Sequence, residues 1–129
     1  MVEVTVLQSR LTPFKKPIIA AASQLLSELG RADFCVEIFI VGNEQLPKNV
    51  LTYPADPHFP RPDLDSPVLG EIYLNPEYIA DHEENLYYML IHGMLHLLGY
   101  DHMKKSDRMK MEKKESALLR RLQVMGGLA

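Results

Sequence analysis

Residues 81–99 read DHEENLYYMLIHGMLHLLG, and the rest of the chain has to be arranged around them. From Leu86 to Leu98 apolar residues occur nearly all round a helical wheel. A helix of that kind has no polar side to leave in water, so it has to lie centrally, covered by other elements. Asp81 with Glu84 three residues later has the pattern of a capping box at its start, and Gly99 supplies a residue that ends it. The stretch is too short to span a bilayer. It also carries two histidines, His92 and His96, which a buried helix does not hold without a reason.

Upstream, Val2, Val4 and Val6 alternate with Glu3 and Thr5, the period-two pattern of a half-buried strand. A helix follows, opening near Thr12-Pro13 or, better for the backbone hydrogen bonds, at Pro17, and closing at Gly30. Ile18, Ala22, Leu25, Leu26 and Leu29 form its apolar stripe. Phe34 to Val41 reads as a second strand with Cys35 as a small core residue, Val50 to Tyr53 as a third, and Leu69 to Leu74 as a fourth. Between the last two, Pro54 to Pro67 holds five prolines in fourteen residues, which excludes regular structure. Pro76 to Ala80 reads as a helical turn. Beyond Gly99, a last helix is predicted from Ser106 to about Gln123, with Met109 and Met111 packing it. Strands and helices mix without strict alternation, so the expected class is α+β: one domain over residues 1–129, with a mixed four-stranded sheet and a central buried helix bearing the histidines.

Composition narrows the function. With 129 residues, 47% hydrophobic and 24% charged, the chain reads as an ordinary globular domain, which excludes disordered and fibrous classes. One cysteine allows no internal disulfide and fits a reducing compartment; with no leader visible, a cytoplasmic location is expected. The net charge of −3 excludes a basic nucleic-acid wrapper. Its distribution is uneven. Lys104 to Arg121 holds eight basic residues against three acidic ones, and the remainder six against fourteen. A solvated helix face explains such a run; so does a contact surface for a polyanion such as RNA, with Lys110, Lys113 and Lys114 as its candidates.

The chemistry lies in His92 to His102, HGMLHLLGYDH. Histidines at i and i+4 of a helix share one face, and both imidazoles can reach one point. Gly99 can take a left-handed conformation and turn the chain back, so that His102 arrives as a third nitrogen. Three imidazoles with a fourth position open to water is the layout of a catalytic zinc site. We expect one zinc per chain on His92, His96 and His102; nickel, cobalt and iron also accept imidazole. Metzincin proteases share the spacing, but their first histidine is followed by a glutamate base. Here that residue is Gly93, which cannot move a proton, so general peptidase activity is not expected. A phosphodiester needs less help, because a metal both activates water and neutralises phosphoryl charge. No general base is assigned. Glu71 qualifies only if its side chain faces the metal; His58 and His82 read as surface residues.

HGMLHLLGYDH closely resembles the signature of the YbeY family, bacterial rRNA maturation factors described as metal-dependent endoribonucleases. Asn49-Val50-Leu51-Thr52-Tyr53-Pro54 is similar to the family's D-V-L-S-F-P strand, and Leu69-Gly70-Glu71-Ile72-Tyr73-Leu74 to its L-G-D-I strand. The resemblance implies an α+β fold with a small mixed sheet, zinc on His92, His96 and His102, and a single-strand endoribonuclease in 16S rRNA maturation and ribosome quality control. Its implied partners are rRNA precursors and the ribosomal small subunit or assembly factors; no DNA or membrane partner is expected. The chain departs from the family in the segment Asn43 to Lys48, which lacks the arginine usually found before the third strand. Lys48 keeps a charge there without the bidentate fork, and Arg61 of the proline-rich loop is the other cation expected near the substrate. Two other functions compete: a ribosome-assembly factor whose metal is chiefly structural, and a metal hydrolase of small esters or amides.

Overall fold

A computed structural model of the protein describes residues 1–56, 66–100 and 105–126. Strand β1 (Val2–Val6) is followed by a 3-10 turn at Ser9–Phe14 and helix α1 (Lys15–Glu28). Then come β2 (Cys35–Ile40), β3 (Val50–Pro54), β4 (Val68–Leu74), α2 (Pro76–Asp81), α3 (Leu86–Leu97) and α4 (Lys105–Gly126). The sheet order is β1-β2-β4-β3; β1, β2 and β4 run parallel and β3 antiparallel to β4. The α+β class with a mixed four-stranded sheet is therefore as expected.

The registers sort the sheet into two faces. Val4, Ile38, Ile72 and Thr52 lie side by side across the four strands, as do Val6, Ile40, Leu74 and Val50 across all four. This row joins Ile18 and Leu25 of α1 and Leu90, Met94 and Leu95 of α3 in one core, so the helices cover this face. Because strand side chains alternate, Glu37, Glu71, Tyr53, Phe39 and Tyr73 fall on the other face. Phe39 stacks on Tyr73 with ring centroids 4.8 Å apart, and Tyr53 meets Tyr73 edge-on at 5.8 Å. Burying one face only is what the alternation in β1 requires.

Helix α3 lies against β3 and β4 so closely that Gly93 is the residue of contact. A Cβ on Gly93 would meet methyl groups of Val50, Thr52 and Ile72, each at 3.3 Å. Its neighbours Ile91, Met94 and Leu95 are fully buried, as a centrally placed helix demands. The helix starts differently from expectation. Asp81 and Glu84 form no capping box: Asp81 is the last residue of α2, Glu83 takes a left-handed φ of 56°, and Asn85 is the N-cap. The Asn85 side chain accepts from the Tyr88 N–H at 3.0 Å. Asparagine caps as well as aspartate, and the residues ahead of it are already committed to α2, capped by Asn75. His82 accordingly sits at the end of α2, stacked on Tyr78, rather than at a helix start.

The first helix starts between the two alternatives, at Lys15, because residues 9–14 form a 3-10 turn around Pro13; Pro17 falls in the first α-helical turn, where its missing N–H costs nothing. The last helix begins at Lys105 and reaches Gly126. Met111 packs it at 1% exposure, whereas Met109 is 60% exposed. Two residues apart, they cannot share a helix face.

Candidate metal centre

Helix α3 sets His92 and His96 one turn apart on one side, both half-buried. Their Nε2 atoms are 3.0 Å apart and the rings meet edge to face, centroids 4.5 Å apart. Two nitrogens bound to one tetrahedral zinc at about 2.0–2.1 Å stand roughly 3.3 Å from each other. The pair thus converges on one point to within a few tenths of an ångström. At the end of α3, Gly99 takes φ +94°, a left-handed value that a side chain would strain. His102, the third expected ligand, lies outside the described residues, as do Arg61 and His58. Among the described residues no group of three or more metal-binding side chains forms a site.

The orientation of His92 comes from α4. Its Nδ1 lies 2.6 Å from Glu115 Oε2, and Glu115 Oε1 accepts from the Tyr88 hydroxyl at 2.9 Å. Glu115 is 2% exposed. A buried carboxylate accepts, so Nδ1 carries the proton and Nε2 keeps its lone pair on the side of His96. Metal-binding histidines are characteristically held this way, with a carboxylate behind the ring fixing tautomer and angle. Desolvation, then the hydrogen bond to Glu115, pushes the Tyr88 hydroxyl up to about 12, which keeps it a donor at neutral pH. Two converging imidazoles, one braced by a carboxylate, form a donor set that suits a transition metal.

Beside His92 opens a cavity of about 340 Å³ whose described lining includes Asn49, Tyr88, Arg108, Glu112 and Glu115. The other sequence candidates fall elsewhere. Lys48 is exposed and does not line this cavity. Lys110 and Lys113 line a separate concavity along α4 with Met109, Ser116 and Arg120; Lys114 lines neither. Glu71 lies on the sheet face away from α3, accepting from the Tyr73 hydroxyl at 2.8 Å, so it is not placed to serve the histidines. Sequence reasoning missed Tyr88 and Glu115. The signal for Glu115 was available: Met111, Glu115, Leu118 and Leu122 recur at helical spacing, so a carboxylate interrupts an apolar stripe.

Comparison with known proteins agrees with the resemblance. The sequence model of the family described as Endoribonuclease YbeY matches residues 40–123. A Bradyrhizobium protein named Endoribonuclease YbeY is 35% identical over 84% of this chain and 76% of its own length. Proteins of that name from Sinorhizobium fredii and Clostridium botulinum are 38% and 40% identical over 62% and 48% of the chain. In these two matches the chain spans 50% and 42%, about half, of the relative's length. A Thermotoga maritima protein of known solution structure shares the fold, with a TM-score of 0.52, 20% identity, and coverage of 98% of this chain and 94% of that one. With the family model matched across β3, β4, α3 and α4, the chain belongs to the YbeY family.

Proposed function

We propose that the chain is a zinc-dependent endoribonuclease cutting single-stranded RNA in the cytoplasm. Its substrates are ribosomal RNA precursors, and its partners the ribosomal small subunit or assembly factors. The observation that carries the reading is the convergence of His92 and His96 on one point with Glu115 braced behind His92. It occurs in a chain whose curated relatives are named endoribonucleases.

His92, His96 and, by its spacing, His102 would hold the ion. When bound, it supplies Lewis acidity, polarising a phosphoryl oxygen and making water a better nucleophile. The chain's own residues orient and attract. Glu115 and Tyr88 hold the His92 ring so that no reorganisation is needed at the moment of reaction. Position 93, where a protease would carry its base, is pressed against Val50, Thr52 and Ile72 and has no room for one. That favours a phosphodiester over a peptide as the substrate. The basic residues of α4 draw a polyanion toward the cleft through long-range charge.

The test pairs elemental analysis with RNA cleavage. Wild-type protein should hold about one transition metal ion per chain and cut single-stranded RNA in preference to duplex, stopping when a chelator is added. The His92→Ala, His96→Ala double variant should lose both metal and cleavage. Wild-type metal stoichiometry in that variant, or cleavage indifferent to chelator, would refute the reading.

A further inference from the structure

Arg108 occupies a place no other described cation shares. Arg108, Met111, Glu112 and Glu115 stand at spacings of three, four and seven along α4, which puts them on one helix face. That face looks onto the cavity beside His92, and Arg108 is the one lysine or arginine among its described lining residues. The chain's other arginines in defined contacts are already engaged. Arg10 is clamped by Glu44 and Glu77, Arg121 pairs with Glu28 at 2.7 Å, and Arg31 lies over the Phe34 ring. Arg108 has no ion pair or hydrogen bond among the described residues, although Glu112 lies one turn away on the same cavity. Arginine before glutamate at i, i+4 is the weaker orientation for a helical pair, so Arg108 gains little by turning to it.

A guanidinium with no carboxylate partner among the described residues, exposed beside a concave site, presents five donors in a fork that matches two oxygens of a phosphate. The acidic groups around it do not cancel this role. Glu115 is buried and already accepts from Tyr88 and His92, so its charge is satisfied inside the protein. Along the helix axis Arg108 stands two turns, about 10 Å, from Glu115, so an extended side chain addresses substrate lying against the histidine pair from one end. The volume of about 340 Å³ is at the small end of ligand sites, enough for a nucleotide-sized portion of a longer strand.

We propose that Arg108 is the substrate-phosphate binding residue of this site, gripping the RNA backbone in the cavity beside His92. The lysines Lys110 and Lys113, on a different face of α4, attract the strand without entering that cavity. The inference rests on the endoribonuclease reading and goes beyond it by separating one contact residue from a run of basic residues.

The experiment measures binding of a short, end-labelled single-stranded RNA to the metal-loaded protein across a salt series, together with KM and kcat for its cleavage. Variants are Arg108→Ala, Arg108→Lys and, as a control that removes the same charge from another face, Lys113→Ala. Arg108→Ala should weaken binding on the order of tenfold or more, with the loss carried in KM. Its salt slope should fall by about 0.7, the share of one phosphate contact on a single strand. Arg108→Lys should recover only part, because a point charge lacks the fork. Metal content and melting temperature should match wild type, since an exposed residue is changed. Equal losses in Arg108→Ala and Lys113→Ala would overturn the proposal in favour of net charge alone; so would unchanged binding in Arg108→Ala. A wild-type protein that neither binds nor cuts RNA would instead remove the endoribonuclease reading, and the Arg108 proposal with it.

Discussion

Removing the Glu115 carboxylate separates metal affinity from fold stability. In Glu115→Ala the His92 Nδ1–H and the Tyr88 hydroxyl both lose an acceptor that is itself buried. Loss of one buried charged hydrogen bond costs about 1.5–3 kcal/mol, so the two together are worth about 3–6 kcal/mol. Relief from burying the carboxylate offsets part of that, so we expect a net loss of roughly 2–3 kcal/mol in the metal-free protein. The larger signature is on the metal. With Nδ1 unbraced, the ring is free to rotate and to change tautomer, and outer partners of this type are worth about 10–100-fold in affinity. Glu115→Gln should fall at the lower end. Its amide oxygen still accepts from Nδ1–H, and its NH2 can donate to the Tyr88 hydroxyl, which turns to become the acceptor. Zinc affinity measured by competition with a chromophoric chelator checks the first quantity, and urea unfolding of metal-free protein the second. The visible spectrum of the cobalt-substituted protein adds a readout that packing alone does not move. A folded Glu115→Ala protein binding zinc as tightly as wild type would refute the bracing role.

Gly93→Ala gains about 0.8–1 kcal/mol of helix propensity but forces a methyl against Val50, Thr52 and Ile72 at 3.3 Å, which costs about 1–3 kcal/mol; thermal or urea unfolding should show a net destabilisation of roughly 1 kcal/mol. Gly93→Glu, which restores the protease pattern, should yield misfolded or insoluble protein, because it drives a carboxylate between helix and sheet; soluble, stable Gly93→Glu protein would show that α3 does not press on the sheet there. Tyr73 and Tyr88 are both pushed up to about 12 from the ordinary 10.0, each by desolvation first and then by its glutamate neighbour. A raised folded value means the native state binds these protons more tightly than the unfolded chain. The stability they contribute is therefore complete below about pH 10 and is lost as pH rises to about 12. Ultraviolet titration should show a late phenolate component that loses one group in Tyr73→Phe and another in Tyr88→Phe. Lowering pH acts on a different cluster: Arg10 holds the Glu44 and Glu77 carboxyls below their ordinary range. The clamp's contribution is present above that range and lost as pH falls through the lowered values, so Arg10→Met should flatten the acid limb of the stability profile.

The legible parts of the chain are those where one physical signal dominates. The alternation of Val2, Val4 and Val6, the β-branched run of β2 and the all-round apolar pattern of α3 each reflect how many faces the element buries, and burial is a local property of composition. The histidine pair was legible for a similar reason, since i, i+4 geometry follows from the helix alone. What was not legible depends on which neighbour reaches a residue first. Asp81 and Glu84 match a capping box, yet α2 claims Asp81 before α3 begins, and Asn85 becomes the cap. The facing of Glu71 needed the register of β4 against β2 and β3, which fixes all alternate residues at once. Met109 and Met111 look alike in composition, but only Met111 is on the stripe that docks. Glu115 stands in a basic segment with Asp107 and Glu112, where acidic residues read as surface charge balance, and only its place in the stripe of Met111, Leu118 and Leu122 sets it apart.

That last case bears on how the site is assembled. His92 and His96 belong to α3, whose position against β3 and β4 is set by Gly93. Their brace, Glu115, and the proposed phosphate residue, Arg108, both ride on α4. Helix α4 is held to the body by Met111, Leu118 and Leu122, each 3% exposed or less, and by the Arg121–Glu28 ion pair to α1. An exposed ion pair is worth little, so the apolar stripe and the buried hydrogen bonds of Glu115 carry the attachment. A polar helix resting on one narrow stripe is easier to shift than α3, where Leu90, Ile91, Gly93, Met94, Leu95 and Leu97 are all buried. The two histidines are therefore set by the more enclosed helix, while the carboxylate that orients His92 and the proposed phosphate residue sit on the less enclosed one. Loosening α4 should weaken metal and RNA binding together, whereas changes to Glu115 or Arg108 alone should affect one and spare the other.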